Sequence, residues 1–417
     1  MSKDTKKGFF ERFKLFILSI GPGLFVIGYN IGTGSVTTMA ATGAEYGMTL
    51  AWPLLLSCIF TYILILVFGR YTVVTGDTII YSYKKYFGKP FAIIVLLALL
   101  FSESVSSIGV MAIVTQVVQE WSRPLTESGN GINPIFSALF FGAILYTLFW
   151  NGKQNFFEKV LAVFVGVMGL SFLLTMFMVV PDPKEVIMGL IPKIPEGSNA
   201  PLLIAGMVGT TMGAVIYVVR SILIKGKGWD LQNFKLEKRD AIISATLMFV
   251  LSVAVMAAAA GTLYPLGLKV DNAMDMVSLL EPLAGRFAVS IFVAGIVAAG
   301  LSSLFPIIIL APWLIGDYKN ETVDMTALPN RLIVLGVLSL GLIVPIIGGR
   351  PVLVMISSQA FLAVVTPLVI LLMLILANKK DVMGEHKLSP AKNILVGITL
   401  IFSIVMAVLG IQGILGL

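Results

Sequence analysis

Two stretches decide the fold: GPGLFVIGYNIGTGSVTTMAATGAEYG at 21–47 and IAGMVGTTMGAVIYVVRSILIKG at 204–226. Each has a centre rich in Gly, Ser and Thr, at 30–38 and at 206–213, where a plain membrane anchor would have Leu and Val. Small residues also let helices pack closely, so either stretch alone is ambiguous. Their matching places, one opening each half of the chain, are typical of inverted-repeat transporters with broken helices at a midplane site. We therefore predict a break in both helices.

The composition of the whole chain agrees with a membrane location. Its 417 residues are 58% hydrophobic and 12% charged. Soluble domains have about 45–50% apolar and about 25% charged residues. The net charge of +7 comes from Lys and Arg residues that lie between apolar blocks, which argues against a nucleic-acid partner. The chain is predicted to be an all-α polytopic membrane protein.

Apolar stretches long enough to cross a bilayer, about 20 residues each, recur along the chain. We predict eleven spans, near 14–47, 50–69, 91–118, 132–150, 157–180, 200–224, 241–264, 287–315, 330–348, 352–377 and 393–415. The first five form one repeat, at about 14–180, and the next five form another, at about 200–377. The eleventh is an extra helix, so that residues 1–417 make a single transmembrane domain.

The distribution of Lys and Arg predicts the orientation. With the N-terminus in the cytoplasm, 22 of the 29 basic residues fall in cytoplasmic segments and six fall outside. Cytoplasmic loops collect positive charge, so we predict a cytoplasmic N-terminus. The long first apolar stretch, which lacks a cleavage site, is expected to stay uncleaved.

Several kinds of chemistry are excluded by residue counts. The chain has one cysteine, Cys58, and one histidine, His386, which lies in a charged segment. It has no phosphate-binding G-x-x-x-x-G-K-[ST] motif, which argues against an ATP-driven pump. The spans offer no nucleophile–base pair. We predict no enzymatic activity, no catalytic residues, no cofactor and no obligate protein partner.

Two charged residues fall inside predicted spans, where charge is costly and is usually functional. Glu103 lies in the third span among several serines, and Arg220 lies in the sixth span beyond its Gly-rich centre. One hypothesis is a structural ion pair between them. The other is a polar pathway from the midplane to the cytoplasm, in which Glu103 exchanges a proton.

Span one also carries a family resemblance. GPG at 21–23, a four-residue break at 32–35 and the following TTMAATGAEYG resemble the opening of the NRAMP divalent-metal transporters. GMVGTT at 206–211 and SSQAFLAVVTPLVILLMLILANKKDVMGEHK at 357–387 are similar to that family's sixth and tenth helices. The resemblance covers essentially the whole chain. It implies a leucine-transporter-like fold of two inverted five-helix repeats plus an eleventh helix, with helices 1 and 6 broken.

The metal ligands of that family are replaced here. Its Asp-Pro-Gly-Asn break corresponds to Gly32-Thr33-Gly34-Ser35, so that both the carboxylate and the amide are lost. Its Met-Pro-His run corresponds to Gly213-Ala214-Val215, without the thioether. By resemblance, Glu103 corresponds to a helix-three aspartate, Ser106 to an acidic residue, Arg220 to a histidine associated with proton movement, and Gln359 to a helix-ten glutamine.

These departures predict the substrate. Hydroxyls, glycine backbone, two half-helix N-termini and a nearby cation favour a small anion, with bicarbonate as the leading candidate. The alternative is a divalent cation (Mn²⁺, Mg²⁺ or Fe²⁺) that is carried partly hydrated, with or without coupling to protons. A sensor and a carrier of a neutral solute are further alternatives.

The predicted substrate-binding residues are Gly32, Thr33, Gly34, Ser35, Thr210, Thr211, Gly213 and Ala214. The predicted residues of the polar pathway are Glu103, Ser106, Arg220 and Gln359, and no metal ligand is predicted.

The resemblance implies that the protein is located in the plasma (inner) membrane of a prokaryote.

Overall fold

A computed structural model describes residues 28–29, 31–150, 183–195, 199–270 and 281–416, with isolated positions between 163 and 174. The start of the first predicted span and nearly all of the fifth, at 157–180, lie outside the described residues. Within the described part of the chain, the regular secondary structure is entirely helical.

The first half of the described chain contains α1 (Thr33–Tyr46), α2 (Ala51–Thr75), α3 (Ile79–Phe87), α4 (Lys89–Ser122), α5 (Pro134–Trp150) and α6 (Pro183–Met188). The second half contains α7 (Ala200–Met212), α8 (Ala214–Gly226), α9 (Phe234–Thr262), α10 (Glu281–Lys319), α11 (Leu328–Leu340), α12 (Ile343–Ile347), α13 (Pro351–Asn378), α14 (Lys380–Met383) and α15 (Pro390–Leu415).

The helices follow the predicted spans closely. Among the described residues, eight stretches are long and apolar enough to cross a membrane, and α5 is a ninth apolar helix of 17 residues. α9 differs most at its boundary, since it begins at Phe234 rather than near 241. The segment 234–240, which we expected to be part of a loop, is therefore the first two turns of a spanning helix. The all-α membrane fold is confirmed.

Both predicted helix breaks are present. Gly28 and Tyr29 are helical, Ile31 and Gly32 are not, and α1 starts at Thr33. In the second half, α7 ends at Met212 and α8 starts immediately after Gly213. Gly213 has φ −59° and ψ 142°, an extended conformation that interrupts the helical hydrogen bonds.

The broken helices lie at the centre of the bundle. In the stretch formed by α7 and α8, 94% of an apolar 18-residue segment is buried. The same fraction is 39% in α15 and 22% in the stretch formed by α11 and α12. α7 packs along α13, α1 packs along α9, and α4 packs against both α10 and α13. The apolar side chains that α11 and α15 expose are suited to lipid.

Two glycines set the closest approaches between these central helices. A Cβ at Gly43 of α1 would collide with the carbonyl oxygen of Met256 in α9. A Cβ at Gly209 of α7 would collide with the carbonyl oxygen of Gln359 in α13. Small residues bring helix backbones together in membranes, where packing rather than hydrophobicity drives association. Gly43 and Gly209 therefore position the two broken helices against their neighbours.

Candidate functional site at the two helix breaks

The second break has its polar backbone groups paired inside the protein. The carbonyl oxygen of Thr211 accepts a hydrogen bond from Thr61 of α2 (2.7 Å), and that of Met212 accepts one from Tyr217 (3.3 Å). Across the break, the N–H of Ala214 donates to the hydroxyl of Thr366 in α13 (3.0 Å). This N–H was expected to bind substrate, but it is already engaged.

A small cavity lies beside the first break. Its volume is about 10 Å³, close to the size of one water molecule. It is walled by residues of six helical segments: Tyr29, Gly34, Ser106, Val110, Thr210, Ser303, Ile307, Met355 and Gln359. Four of the residues predicted from the sequence line it: Gly34, Ser106, Thr210 and Gln359. The structure thus brings residues of α1, α4, α7 and α13 to one point.

The polar wall of the cavity is linked by hydrogen bonds. The amide nitrogen of Gln359 donates to Ser106 (3.3 Å), and Ser106 donates to Ser358 (3.1 Å). A Cβ at Gly34 would lie only 3.0 Å from the same amide nitrogen. The glycine therefore lets α1 approach Gln359 closely, and the cavity wall on this side is made of neutral polar groups.

Other predicted residues point away from the cavity. Ser35 contacts the hydroxyl of Ser252 in α9 (3.1 Å), and Thr211 donates to Met207 of its own helix (2.8 Å) and contacts Ser57 of α2 (2.5 Å). Gly213 marks the second break itself without lining the cavity. The two hydroxyls therefore join helices to each other and are not brought to the cavity.

Gly32 and Thr33 both face α10. A Cβ at Gly32 would collide with the hydroxyl of Ser303, so this serine occupies the space that a side chain at position 32 would take. The Thr33 hydroxyl lies 3.2 Å from a Cβ built at Gly300. Sequence reasoning missed Ser303 and also Met355, which both line the cavity. Met355 lies one helical turn before Gln359, and that spacing was the available signal.

Glu103 and Arg220 do not pair with each other. Glu103 is 3% exposed, and its Oε1 accepts a hydrogen bond from the Tyr29 hydroxyl (2.5 Å). Its other oxygen, Oε2, has no partner among the described residues. Tyr29 lines the cavity, so Glu103 reaches the cavity through that hydroxyl. The hypothesis of a structural ion pair between Glu103 and Arg220 is therefore wrong.

Arg220 instead forms a buried triad with two carboxylates of α9. It makes a bidentate contact with Glu237 (2.9 and 3.1 Å) and a further contact with Asp240 (2.6 Å). All three side chains are at most 3% exposed. Both acidic residues were missed because they lie between the predicted spans 200–224 and 241–264. Their spacing of three residues, which places them on one face of a helix, was the signal that could have revealed them.

The triad also corrects the expected electrostatics. Arg220 was expected to add positive field to the site, but two carboxylates compensate its charge. It also lies seven residues beyond the second break, roughly 10 Å along α8 at about 1.5 Å per residue. Arg220 therefore joins α8 to α9 and gives the site no net positive charge.

Comparisons with known proteins point to one family. The model of the family described as natural resistance-associated macrophage protein-like (Nramp) matches residues 23–412. A divalent metal cation transporter MntH of Clostridium acetobutylicum is 27% identical over 222 residues, which cover 52% of this chain and half of the length of that relative. The MntH of Yersinia pestis is 23% identical over 402 residues, 92% of this chain and 91% of the relative.

Solved structures agree on the fold. A mutant of the Eremococcus coleocola manganese transporter superposes with a TM-score of 0.74 at 14% identity, covering 100% of this chain and 91% of that one. A nucleobase-cation-symport-1 family transporter superposes with a TM-score of 0.63 at 14% identity, covering 95% of this chain and 90% of that one. A sodium-coupled sialic acid symporter superposes with a TM-score of 0.58 at 14% identity, covering 94% of this chain and 90% of that one.

The triad makes a prediction about stability. Arg220→Met leaves two carboxylates buried without a partner, and removing one member of a buried ion pair costs roughly 3–5 kcal/mol. We expect a strongly lowered melting temperature in detergent. Adding Glu237→Gln and Asp240→Asn should restore most of it, whereas adding Glu103→Gln should not. Rescue by Glu103→Gln alone would contradict the contacts described here.

Proposed function

Because the chain belongs to the Nramp family over nearly its whole length, we propose that this multi-pass membrane protein is a secondary transporter of a divalent metal cation. The observation that carries the proposal is the cavity between the broken helices, which is lined by neutral oxygen donors and has room for a single small ion. Relatives of the chain in Clostridium acetobutylicum and Yersinia pestis are named divalent metal cation transporters, which supports the same substrate class.

The contacts of Arg220 and of the second break favour a cation over an oxyanion. The neutralised Arg220 and the engaged N–H of Ala214 remove the features that favoured an anion. A cation is therefore the better match to this site.

The wall offers ligands for a hard cation. The hydroxyl oxygens of Ser106 and Thr210 are of the type that suits Mg²⁺ and Mn²⁺. No carboxylate lines the cavity among the described residues, so binding should be weaker than in a site with an anionic ligand. Mg²⁺ and Mn²⁺ both tolerate retained water, which would complete the coordination when the cavity opens.

Glu103 supplies negative charge near the cavity without lining it. Its hydrogen bond from Tyr29 links the carboxylate to the wall without placing it there. A buried carboxylate attracts a cation through the low-dielectric interior more strongly than it would in water. We propose that Glu103, Ser106 and Gln359 form the polar side of the ion's path, with Glu103 the residue able to exchange a proton.

The breaks allow the alternating access that this function requires. α7 and α8 are separated by one extended residue, so that each half can tilt independently. The triad ties α8 to α9, and therefore we expect these two helices to move together. α7 is held against α13 at Gly209. Rocking of the α8–α9 pair relative to α7 and α13 would open and close the path to the cavity.

We propose that the N-terminus is cytoplasmic, as the distribution of basic residues favours. Single cysteines at Lys193 and Lys269 should then react with an impermeant thiol reagent added outside intact cells, and those at Lys85 and Lys235 should not. All four positions are exposed, and the native Cys58 is buried, so background labelling should be low. Reversed labelling would contradict the proposed orientation.

Uptake by proteoliposomes tests the proposed substrate. We expect saturable entry of Mn²⁺ or Mg²⁺ and no entry of bicarbonate above that of empty vesicles. Thr210→Val removes one hydroxyl from the cavity and should lower metal uptake by about tenfold, the scale on which a metal site responds to the loss of one supporting contact. Saturable bicarbonate uptake without metal uptake would overturn the proposal.

Thr399→Val on α15 is the matched control for this experiment. Thr399 is also fully buried, but its hydroxyl bonds to Leu395 of its own helix (2.8 Å), away from the cavity. This variant should transport metal at close to the wild-type rate. An equal loss in both variants would indicate a general effect of removing buried hydroxyls and would contradict a specific role for Thr210.

The missing carboxylate gives a gain-of-function prediction. Gly32→Asp alone should be disruptive because its side chain would collide with Ser303. Combined with Ser303→Gly, which clears that space, the aspartate should increase Mn²⁺ affinity by about tenfold or more, as an anionic ligand compensates the lost hydration. Calorimetry measures the affinity. Gly32→Asn with Ser303→Gly is the uncharged control, and equal affinity of the two double variants would contradict the argument.

A further inference from the structure

A groove of about 480 Å³ lies where the short helix α3 meets the end of α13. Its walls include the apolar side chains of Phe87, Leu374 and Ile375, together with Tyr86 and Lys379. None of these residues lines the cavity at the helix breaks. The groove is therefore a feature separate from the proposed metal path, and its size is within the range of small-molecule sites, roughly 300–1,000 Å³.

Two lysine ammonium groups lie at one tyrosine ring in this groove. The Nζ of Lys379 is 5.3 Å from the centroid of the Tyr86 ring, and the Nζ of Lys85 is 5.2 Å from the same centroid. Asp77 pairs with Lys85 (2.8 Å). Lys379 is exposed and has no ion-pair partner among the described residues. One positive charge at the groove is therefore left without a compensating carboxylate.

The surrounding segments are also mostly basic. Residues 77–91 and 374–383 together contain five lysines and two aspartates. The amide of Asn378, which also lines the groove, is engaged elsewhere, since it donates to the carbonyl oxygen of Leu374 (2.9 Å) and to the side chain of Asn393 (2.6 Å). The charge at the groove is thus set by lysines, and this charge is complementary to an anion.

An apolar surface leads to these lysines from the membrane interior. Leu371 and Ile375 are four residues apart and share one face of α13, and they are 43% and 47% exposed. On the other side, the ring of Phe87 contacts that of Phe91 at the start of α4, which is 43% exposed (centroids 6.3 Å apart). Lys379 follows directly after the last residue of the spanning helix α13. Apolar surface followed by positive charge at a helix end matches a lipid acyl chain and its phosphate.

We infer that this groove binds one anionic phospholipid. Its phosphate lies between Lys379 and Lys85, and one acyl chain runs along Ile375 and Phe87. Basic pockets between spanning helices are suited to anionic headgroups. A zwitterionic lipid such as phosphatidylcholine brings its own cationic group, which the lysines repel, so the groove selects for a net negative headgroup.

The bound lipid would join α3 to α13. The Tyr83 hydroxyl already donates to the carbonyl oxygen of Val369 in α13 (2.6 Å), and Asp317 of α10 accepts from the N–H groups of Ile80 and Tyr81 (both 3.1 Å). A phosphate held by one lysine of each segment adds a further link at the other end of α3. The inference goes beyond the proposed transport function and does not rest on it, because lipid binding is measured without transport.

Native mass spectrometry of the purified protein in detergent tests the inference. The protein is titrated with phosphatidylglycerol and with phosphatidylcholine of the same acyl chains. We expect the first phosphatidylglycerol to bind with a Kd at least about fivefold lower, the scale of one lysine acting on an anionic lipid. Equal affinities would overturn the inference. Glycerol 3-phosphate, which has the phosphate without acyl chains, should not displace the lipid, and displacement at matched concentrations would overturn a lipid site in favour of free phosphate.

Matched variants locate the lipid. Lys379→Gln should raise the Kd of the first phosphatidylglycerol by about fivefold, whereas Lys379→Arg should bind like the wild type. Ile375→Trp keeps every charge and fills the groove, and it should also weaken binding. Lys235→Gln on α9 removes an exposed lysine outside the groove and should change nothing. Unchanged affinity in Lys379→Gln or in Ile375→Trp would overturn the inference, as would an equal loss in Lys235→Gln.

Discussion

An interrupted helix in a bilayer must find partners for its backbone inside the protein, because lipid offers none. The rest of this structure depends on that constraint. It explains why α7 and α8 are the most buried of the spanning stretches, and why Thr61 and Thr366 direct their hydroxyls at the second break. It also explains the glycines at 43 and 209, which bring α9 and α13 close enough to enclose the broken helices. The cavity lies where this enclosure is incomplete.

The charged residues inside the bundle also need partners within the protein. Arg220 is buried and paired with Glu237 and Asp240, which makes it part of the framework that joins α8 to α9. Glu103 has only the Tyr29 hydroxyl as a described partner, and it lies next to the cavity. Buried charges that are fully paired hold helices together, whereas an incompletely paired carboxylate remains available to a passing cation or proton. The two intramembrane charges identified from the sequence thus have different surroundings.

Much of the fold could be predicted from the sequence, since apolar stretches and glycine-rich centres mark spans and breaks directly. The cavity was predictable in part. Gly34 and Thr210 lie at the breaks themselves, and Ser106 and Gln359 follow from the family resemblance. Ser303 and Met355 were missed because their place at the site depends on how α10 and α13 cross α1, which local patterns do not encode. The prediction of an anionic substrate is not supported, for the same reason: the sequence shows Arg220 but not the carboxylates of α9 that pair with it.

If the cavity beside the first break binds the transported metal, the ion should be visible there. Anomalous diffraction at the manganese absorption edge, from crystals grown with Mn²⁺, should show a peak within coordination distance of Thr210 and Ser106, beside Gly34. Peaks confined to surface carboxylates, at Mn²⁺ concentrations that saturate uptake, would show that the metal binds elsewhere.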